Sequence, residues 1–263
     1  MRADKYFADR FGSRTKAAEA IEKGLVLVNG KSVRPKDEIK ETDEITFVRA
    51  EEYFVSNGGY KLARAVKNFA IDCKNKIFVD IGASTGGFTD CLLQNGAAKV
   101  YAVDVGESLL HESLLTNDKI VRMENTNARY LTKEDFSDAI DGIVTDVSFI
   151  SLRLIFPVIK AVLSDRGFGI VLVKPQFECE KKHIGKSGIV APSAHSSIVK
   201  KILAYASENG LYPFGIVNAP VRKGKNIEYV LYLKGTPKDK LSDQQIIEEV
   251  KALVTKYAAG ELT

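Results

Sequence analysis

The stretch from Lys76 to Thr89 holds the residues best suited to binding chemistry. An apolar run, Ile77-Phe78-Val79-Asp80-Ile81, feeds directly into Gly82-Ala83-Ser84-Thr85-Gly86-Gly87-Phe88-Thr89. A glycine-rich turn in that place lets the backbone approach a ligand at the carboxyl edge of a sheet. The spacing is Gly-x-x-x-Gly-Gly, unlike the Gly-x-Gly-x-x-Gly of dinucleotide sites, and Asp80 stands directly before it. A carboxylate there would repel a pyrophosphate but suits the ammonium and sulfonium charges of S-adenosylmethionine. Asp104 closes Tyr101-Ala102-Val103, where a carboxylate can accept both hydroxyls of a nucleoside ribose. Further on, Asn127 and its neighbouring backbone can meet an adenine edge. The predicted cofactor set is therefore Asp80, Gly82, Ala83, Ser84, Thr85, Gly86, Gly87, Phe88, Asp104 and Asn127. Taken singly, Asp80 reads equally well as a cap, Gly82 as a turn and Asp104 as a surface acid; their order after successive strands favours the ligand.

Elements that would position these groups follow from the apolar pattern. Strand-like runs at Ile77–Ile81, Val100–Val105, Gly142–Asp146 and Gly169–Val173 alternate with helix-length stretches, which predicts an α/β fold with a parallel sheet and helices on both faces. Asp90–Asn95 reads as a helix closed by Gly96. Asp146 and Lys174 each follow an apolar run, so both are expected at the carboxyl ends of neighbouring strands, beside the glycine turn.

The amino-terminal part has a different character. Through Lys36 it carries nine cations against four anions, and from Asp37 to Glu52 seven anions face two cations. Ser13–Lys23 reads as a helix stopped by Gly24, followed by strands Leu25–Val28 and Glu44–Val48, with Asn29-Gly30 as a hairpin turn. The string Ser13-Arg14-Thr15-Lys16-Ala17, then Gly24 to Lys31 and Val33-Arg34-Pro35, resembles the RNA-binding domain named after a small-subunit ribosomal protein (S-four type). That resemblance implicates Arg10, Arg14, Lys16 and Lys31 in RNA-backbone contact, a salt-sensitive affinity with little base choice. An ordinary solvated helix face is the bland alternative. The expected domains are 1–48, a linker 49–58 and 59–263, with the join ending in Asn57-Gly58-Gly59, where the chain can turn.

Four motifs remain: Gly58-Gly59-Tyr60-Lys61-Leu62, Thr145-Asp146-Val147-Ser148-Phe149-Ile150-Ser151-Leu152, Val173-Lys174-Pro175-Gln176-Phe177-Glu178, and Gly224-Lys225-Asn226-Ile227-Glu228-Tyr229. Together with the Asp80–Thr89 string they resemble the TlyA family over nearly the whole chain. The resemblance implies ribosomal RNA cytidine 2'-O-methylation by an FtsJ-like domain. It further implies a Rossmann-like S-adenosylmethionine-dependent methyltransferase fold, a mostly parallel seven-stranded sheet with an antiparallel last hairpin, preceded by a small α+β RNA-binding domain. The family's Lys-Asp-Lys-Glu tetrad falls on Lys61, Asp146, Lys174 and Glu228. In that reading Lys174 orients the ribose hydroxyl and takes part in its deprotonation, Asp146 positions Lys174, and Lys61 and Glu228 complete the charge network. A second nearby cation is expected to lower a lysine's pKa, with carboxylates restraining the fall. Two departures stand out: Asn57 where family members carry arginine, and Glu107-Ser108-Leu109-Leu110 where they carry Tyr-Gly-Gln-Leu. Cations at Lys181, Lys182, Lys186, Arg222, Lys223 and Lys225 flank the last two motifs and suit either an RNA backbone or solvent.

Composition excludes several classes. With 263 residues, 45% hydrophobic and 27% charged, the chain lies in the soluble globular range. No apolar run approaches the roughly 18 residues that span a bilayer, and the start lacks a secretory pattern, so a cytoplasmic monomer without membrane contact is expected. Cys73, Cys91 and Cys179 are widely spaced and suit reduced thiols; His111, His183 and His195 show no ligand spacing, so no metal is expected. The partners implied are ribosomal RNA or ribosomal subunits. Competing readings are a non-catalytic RNA-binding or ribosome-assembly factor, a pore-forming haemolysin and a small-molecule methyltransferase.

Overall fold

The computed structural model describes all residues except 23, 48–53, 222, 223 and 263. The expected helix end at Lys23, the strand end at Val48, linker positions 49–53 and the cations Arg222 and Lys223 lie outside the described residues. The chain divides into two compact units, Met1–Tyr53 and Phe54–Thr263.

The first unit holds helices α1 (Ala3–Tyr6) and α2 (Arg14–Glu22) and strands β1 (Val26–Val28), β2 (Lys31–Ser32) and β3 (Ile45–Phe47). β1 lies in the middle, antiparallel to both neighbours. Asn29 and Gly30 take the left-handed conformation a tight hairpin requires. Ala17 and Ile21 of α2 pack with Val26 and Val28 of β1, Phe7 and Ile39 into a small core of their own.

The second unit is built on a seven-stranded sheet. Its elements are α3 (Asn57–Asn68), β4 (Ile77–Ile81), α4 (Gly87–Gln94), β5 (Lys99–Val103), β6 (Ile120–Met123), β7 (Ile140–Thr145), α5 (Phe156–Val162), β8 (Leu163–Val173), α6 (Pro175–Glu178), α7 (His195–Glu208), β9 (Tyr212–Asn218), β10 (Tyr229–Lys234) and α8 (Asp243–Ala258). The strand order is β6-β5-β4-β7-β8-β10-β9. β6, β5, β4, β7 and β8 run parallel, whereas β10 is antiparallel to both β8 and β9, as expected for the last hairpin. Side chains alternate along each strand, so consecutive residues enter opposite layers. Ile143 of β7 and Leu231 of β10 join α5, α7 and α8 in one core, while Val144 and Val230 join α3 and α4 in the other.

Several boundaries differ from expectation. Asn57, Gly58 and Gly59 do not close a linker; they form the first turn of α3. Glycine at 59 serves close approach there, because a Cβ would stand 2.2 Å from Phe54 Cβ. Likewise α4 begins at Gly87, three residues before the expected Asp90. β5 ends at Val103, not Val105, and β7 ends at Thr145, leaving Asp104 and Asp146 in the loops just past their strands.

Candidate active site

The sheet's carboxyl edge collects the site by register. β4 is central, with Ile81 level with Val103 of β5 and Thr145 of β7. The residues that follow each strand, Gly82, Asp104 and Asp146, therefore meet at one edge. Because β10 runs antiparallel with Tyr229 opposite Val173, the residue before it, Glu228, lands beside Lys174.

The glycine turn is held from behind. Asp80 is fully buried; its Oδ2 accepts from the Thr89 amide at 2.9 Å and the Thr89 hydroxyl at 2.7 Å, while Oδ1 has no hydrogen-bond partner. Burial outweighs those two donors and pushes the carboxyl up to about 7. Gly86, at φ +86°, makes the left-handed entry into α4; a Cβ there would strike Leu114 Cδ1 at 2.4 Å. Asp104 binds the turn from the next strand: Oδ2 accepts from the Ser84 amide at 2.8 Å and Oδ1 from the Gly106 amide at 2.9 Å.

A cleft of about 440 Å³ opens at this edge, lined by Gly82, Ser84, Asp104, Asn127 and Asp146 with Val105, Leu109, Ile150 and Ile155 as apolar walls. Its volume falls in the range of small-molecule sites. Of the predicted cofactor set, Gly82, Ser84, Asp104 and Asn127 line the cleft. Asp80, Ala83, Thr85, Gly86, Gly87 and Phe88 do not line it; all but the exposed Thr85 are buried. Asn127 uses its side-chain oxygen locally, accepting from the Arg129 amide at 3.1 Å. The departing loop residue Leu109 forms part of the apolar wall, and Leu110 is buried against Leu114 and Ala83.

Lys61, Asp146, Lys174 and Glu228 form one continuous network. Lys174 Nζ lies 2.5 Å from Asp146 Oδ1, Lys61 Nζ lies 3.3 Å from Asp146 Oδ2, and Lys61 Nζ lies 2.8 Å from Glu228 Oε2. All four side chains are at most 19% exposed, so solvent screens their attraction weakly. Burial by itself would lower the Lys61 ammonium, but Asp146 and then Glu228 outweigh it and raise it above the ordinary amine range. The expected depression of a lysine by its neighbouring cation is thus reversed at Lys61, where two carboxylates stand closer than any second amine. Lys61 and Glu228 also line a second cleft of about 510 Å³ with Asn57, Tyr60, Gln176 and Lys225. The network therefore separates two cavities, Asp146 facing one and Lys61 with Glu228 facing the other.

Three participants were not singled out in the sequence, although all stand inside the quoted motifs. Lys174 Nζ donates to Ser148 Oγ at 2.7 Å. Gln176 Nε2 donates to Glu228 Oε1 at 3.3 Å, giving that carboxylate a donor on each oxygen. Phe149 takes φ +62°, is 90% exposed and lies 4.9 Å from the Phe177 ring. Their signal was position alone, within two or three residues of a tetrad member.

The predicted RNA-contact residues lie in the first unit. Lys16 and Lys31 are exposed. Arg14 is 3.1 Å from the buried Asp4, which also holds Arg2 at 2.8 Å, and the Arg10 guanidinium sits 4.4 Å from the Phe47 ring centre. Near the second cleft, Asn226 fastens the cation-rich 181–190 segment by accepting from the Val190 amide at 2.8 Å and donating to the Gly188 carbonyl at 2.9 Å. His195 is buried, its Nδ1 2.8 Å from the Tyr229 hydroxyl. Among the described residues no helix is long and apolar enough to cross a membrane, and no group of three or more His, Cys, Asp or Glu is placed to hold a metal ion.

Known proteins are similar to this chain over both units. Residues 54–235 match the FtsJ-like methyltransferases and residues 1–45 match the S4 domain. Hemolysin A of Brachyspira hyodysenteriae is 42% identical over 88% of this chain and 99% of its own length. The 16S/23S rRNA (cytidine-2'-O)-methyltransferase TlyA of Mycobacterium tuberculosis is 37% identical over 93% of this chain and 92% of its own. A solved structure of a haemolysin-labelled protein from Streptococcus thermophilus superposes with a TM-score of 0.74 at 36% identity, covering 99% of this chain and 98% of that one. With matches of that extent over both units, the chain belongs to the FtsJ-like methyltransferase family, in the TlyA group whose methyltransferase domain follows an S4 domain.

Proposed function

We propose that the chain transfers a methyl group from S-adenosylmethionine to the ribose 2'-hydroxyl of a cytidine in ribosomal RNA, in the cytoplasm. The observation that carries this reading is the Lys174–Asp146–Lys61–Glu228 network standing between two cavities. The TlyA relatives, named as cytidine 2'-O-methyltransferases of ribosomal RNA, supply the substrate.

The first cleft suits the cofactor by its donor set. Each Asp104 oxygen holds one backbone amide and keeps acceptor capacity for a ribose hydroxyl. Asp80 Oδ1 is buried without a partner, an acidic atom that a nearby cation would stabilise. Gly82, Ser84 and Asn127 would border the ligand, with Leu109 and Ile150 against its base. When bound, S-adenosylmethionine supplies an electrophilic methyl group.

The second cleft then takes the acceptor ribose. A 2'-hydroxyl is a weak nucleophile and must be held in line and lose its proton as it attacks. Lys61 stays an ammonium, because two carboxylates raise it, and so neutralises Asp146 and Glu228. Lys174, held by Asp146 and Ser148, is the group left to orient the hydroxyl and, in its deprotonated form, to receive the proton. Asp146 stabilises the ammonium that results.

The test is tritiated methyl transfer to ribosomal particles from cells lacking the enzyme, with alkali-resistant linkages mapped afterward. Lys174→Ala is expected to slow transfer by roughly 10²- to 10⁴-fold while calorimetric S-adenosylmethionine affinity stays within about threefold. Undiminished turnover removes Lys174 from the chemistry. A wild-type chain that binds particles but no cofactor would instead be a non-catalytic RNA-binding factor.

A further inference from the structure

The loop after β7 is fastened at both ends to the segment that begins with Lys174. At its start, Asp146 and Ser148 bind the Lys174 amine. At its end, Glu178 takes over: Oε1 accepts from the Leu152 amide at 2.7 Å and Oε2 from the Ser151 hydroxyl at 2.8 Å. Ser151 Oγ in turn accepts from the Arg153 amide at 3.2 Å. Glu178 is 5% exposed, and the Lys201 ammonium donates to its main-chain carbonyl, which fixes the backbone carrying it.

Burying a carboxylate is unfavourable unless donors converge on it. Burial does raise the Glu178 carboxyl above its usual range, against the opposing pull of Leu152 and Ser151. Glu178 and Ser151 stand outside the residues lining the two clefts, and both Glu178 oxygens are taken by donors of the chain itself. Between the two tie points Phe149 holds φ +62°, a conformation that persists only where surrounding contacts over-determine it. Two segments cross-linked at both ends form a closed frame, and the strained residue lies inside it.

We propose that Glu178 is a positioning residue for methyl transfer: by pinning Ser151 and Leu152 it holds loop 146–152 in the course that brings Asp146 and Ser148 to Lys174. The inference rests on the transferase reading of the tetrad. Its action is indirect, so it predicts a loss in turnover that an acceptor of the same shape restores. Glutamine at 178 can still accept from the Leu152 amide and donate to Ser151 Oγ, whereas alanine leaves the Leu152 amide and the Ser151 hydroxyl proton without an acceptor.

Full-length Glu178→Ala, Glu178→Gln, Ser151→Ala and the Glu178→Ala/Ser151→Ala pair are compared in the particle assay, with thermal melts confirming folding. Glu178→Ala is expected to lower kcat roughly 10- to 100-fold with KM for particles within about threefold, and Glu178→Gln to return it to within about fivefold of wild type. Ser151→Ala should lower kcat by about three- to tenfold, and the double variant should lose no more than Glu178→Ala alone, since both break one tie. A folded Glu178→Ala with kcat within about twofold of wild type overturns the proposal, as do additive losses or a glutamine variant as slow as alanine. Should Glu178→Ala fail to fold, Ser151→Ala decides: wild-type kcat overturns the proposal, and reduced kcat at unchanged KM supports it. A wild-type chain that transfers no methyl overturns the transferase reading as well, whereas an active wild type with indifferent variants overturns this inference alone.

Discussion

At the residue scale, the burial of Asp80 couples its protonation to the stability of the fold. Its carboxyl is pushed up to about 7 by burial, against an ordinary value of about 3.9 in an unfolded chain. Between those values the folded state holds a proton the unfolded state has lost, so stability is fully present at low pH and falls as pH rises through 7. The ligand-free protein should therefore melt at lower temperature as pH goes from about 5 to about 8, by an amount corresponding to roughly 2–3 kcal/mol at most. Asp80→Asn should flatten that slope and weaken S-adenosylmethionine binding most at pH 8, where the native acid is ionised. A slope that survives the substitution would place its origin elsewhere. Lys61 shows the opposite balance: two carboxylates outweigh its burial, which makes it a fixed charge among groups that exchange protons.

At the scale of elements, the crossing of α3 and α4 decides where Lys61 points. Gly87 opens α4, and a Cβ on it would meet Ser56 Oγ at 2.2 Å and the Gly59 amide nitrogen at 2.8 Å. The second contact is backbone and cannot swing aside. Gly87→Ala is expected to cost about 1–3 kcal/mol, a drop of several degrees by thermal melt, and to lower turnover as α3 carries Lys61 away from Glu228. A melting temperature equal to wild type would show that the crossing relaxes freely. The same crossing marks where sequence reading fell short. Glycines at 58 and 59 suggested a bend, yet they admit a neighbouring chain, and periodicity does not separate those two uses of a missing side chain. Strand identity was legible because β4, β5, β7 and the second half of β8 are short apolar runs, whereas the first half of β8, with Ser164, Asp165 and Arg166, does not read as a strand. The convergence of Asp104, Asp146 and Lys174 followed from their places after those runs, and that of Asp80 from its place at the end of its own. Glu228 needed knowledge that β10 is reversed, which its own residues do not announce. Ser148, Gln176 and Glu178 stayed hidden because their partners lie 26, 52 and 27 positions away.

At the scale of the whole molecule, two units divide the labour. The small unit, Met1–Tyr53, is basic through Lys36 and offers exposed Lys16 and Lys31; the large one holds the site. Affinity for a polyanion that arises by neutralising phosphates falls with salt in proportion to the contacts made. Lys16→Ala with Lys31→Ala should weaken particle binding and lower the slope of log affinity against log salt by about one for each cation removed. Cofactor affinity should stay unchanged, and an unaltered slope would remove these lysines from the interface. The backbone of Phe149 carries a consequence for any laboratory evolution of this protein. Glycine at that position would relieve a left-handed conformation that disfavours L-residues by roughly 1–2 kcal/mol, so selection for heat tolerance alone would tend to erase the aromatic ring. Variants gained that way would survive the oven without the exposed ring that stands against Phe177, and a screen must reward turnover together with endurance to keep it.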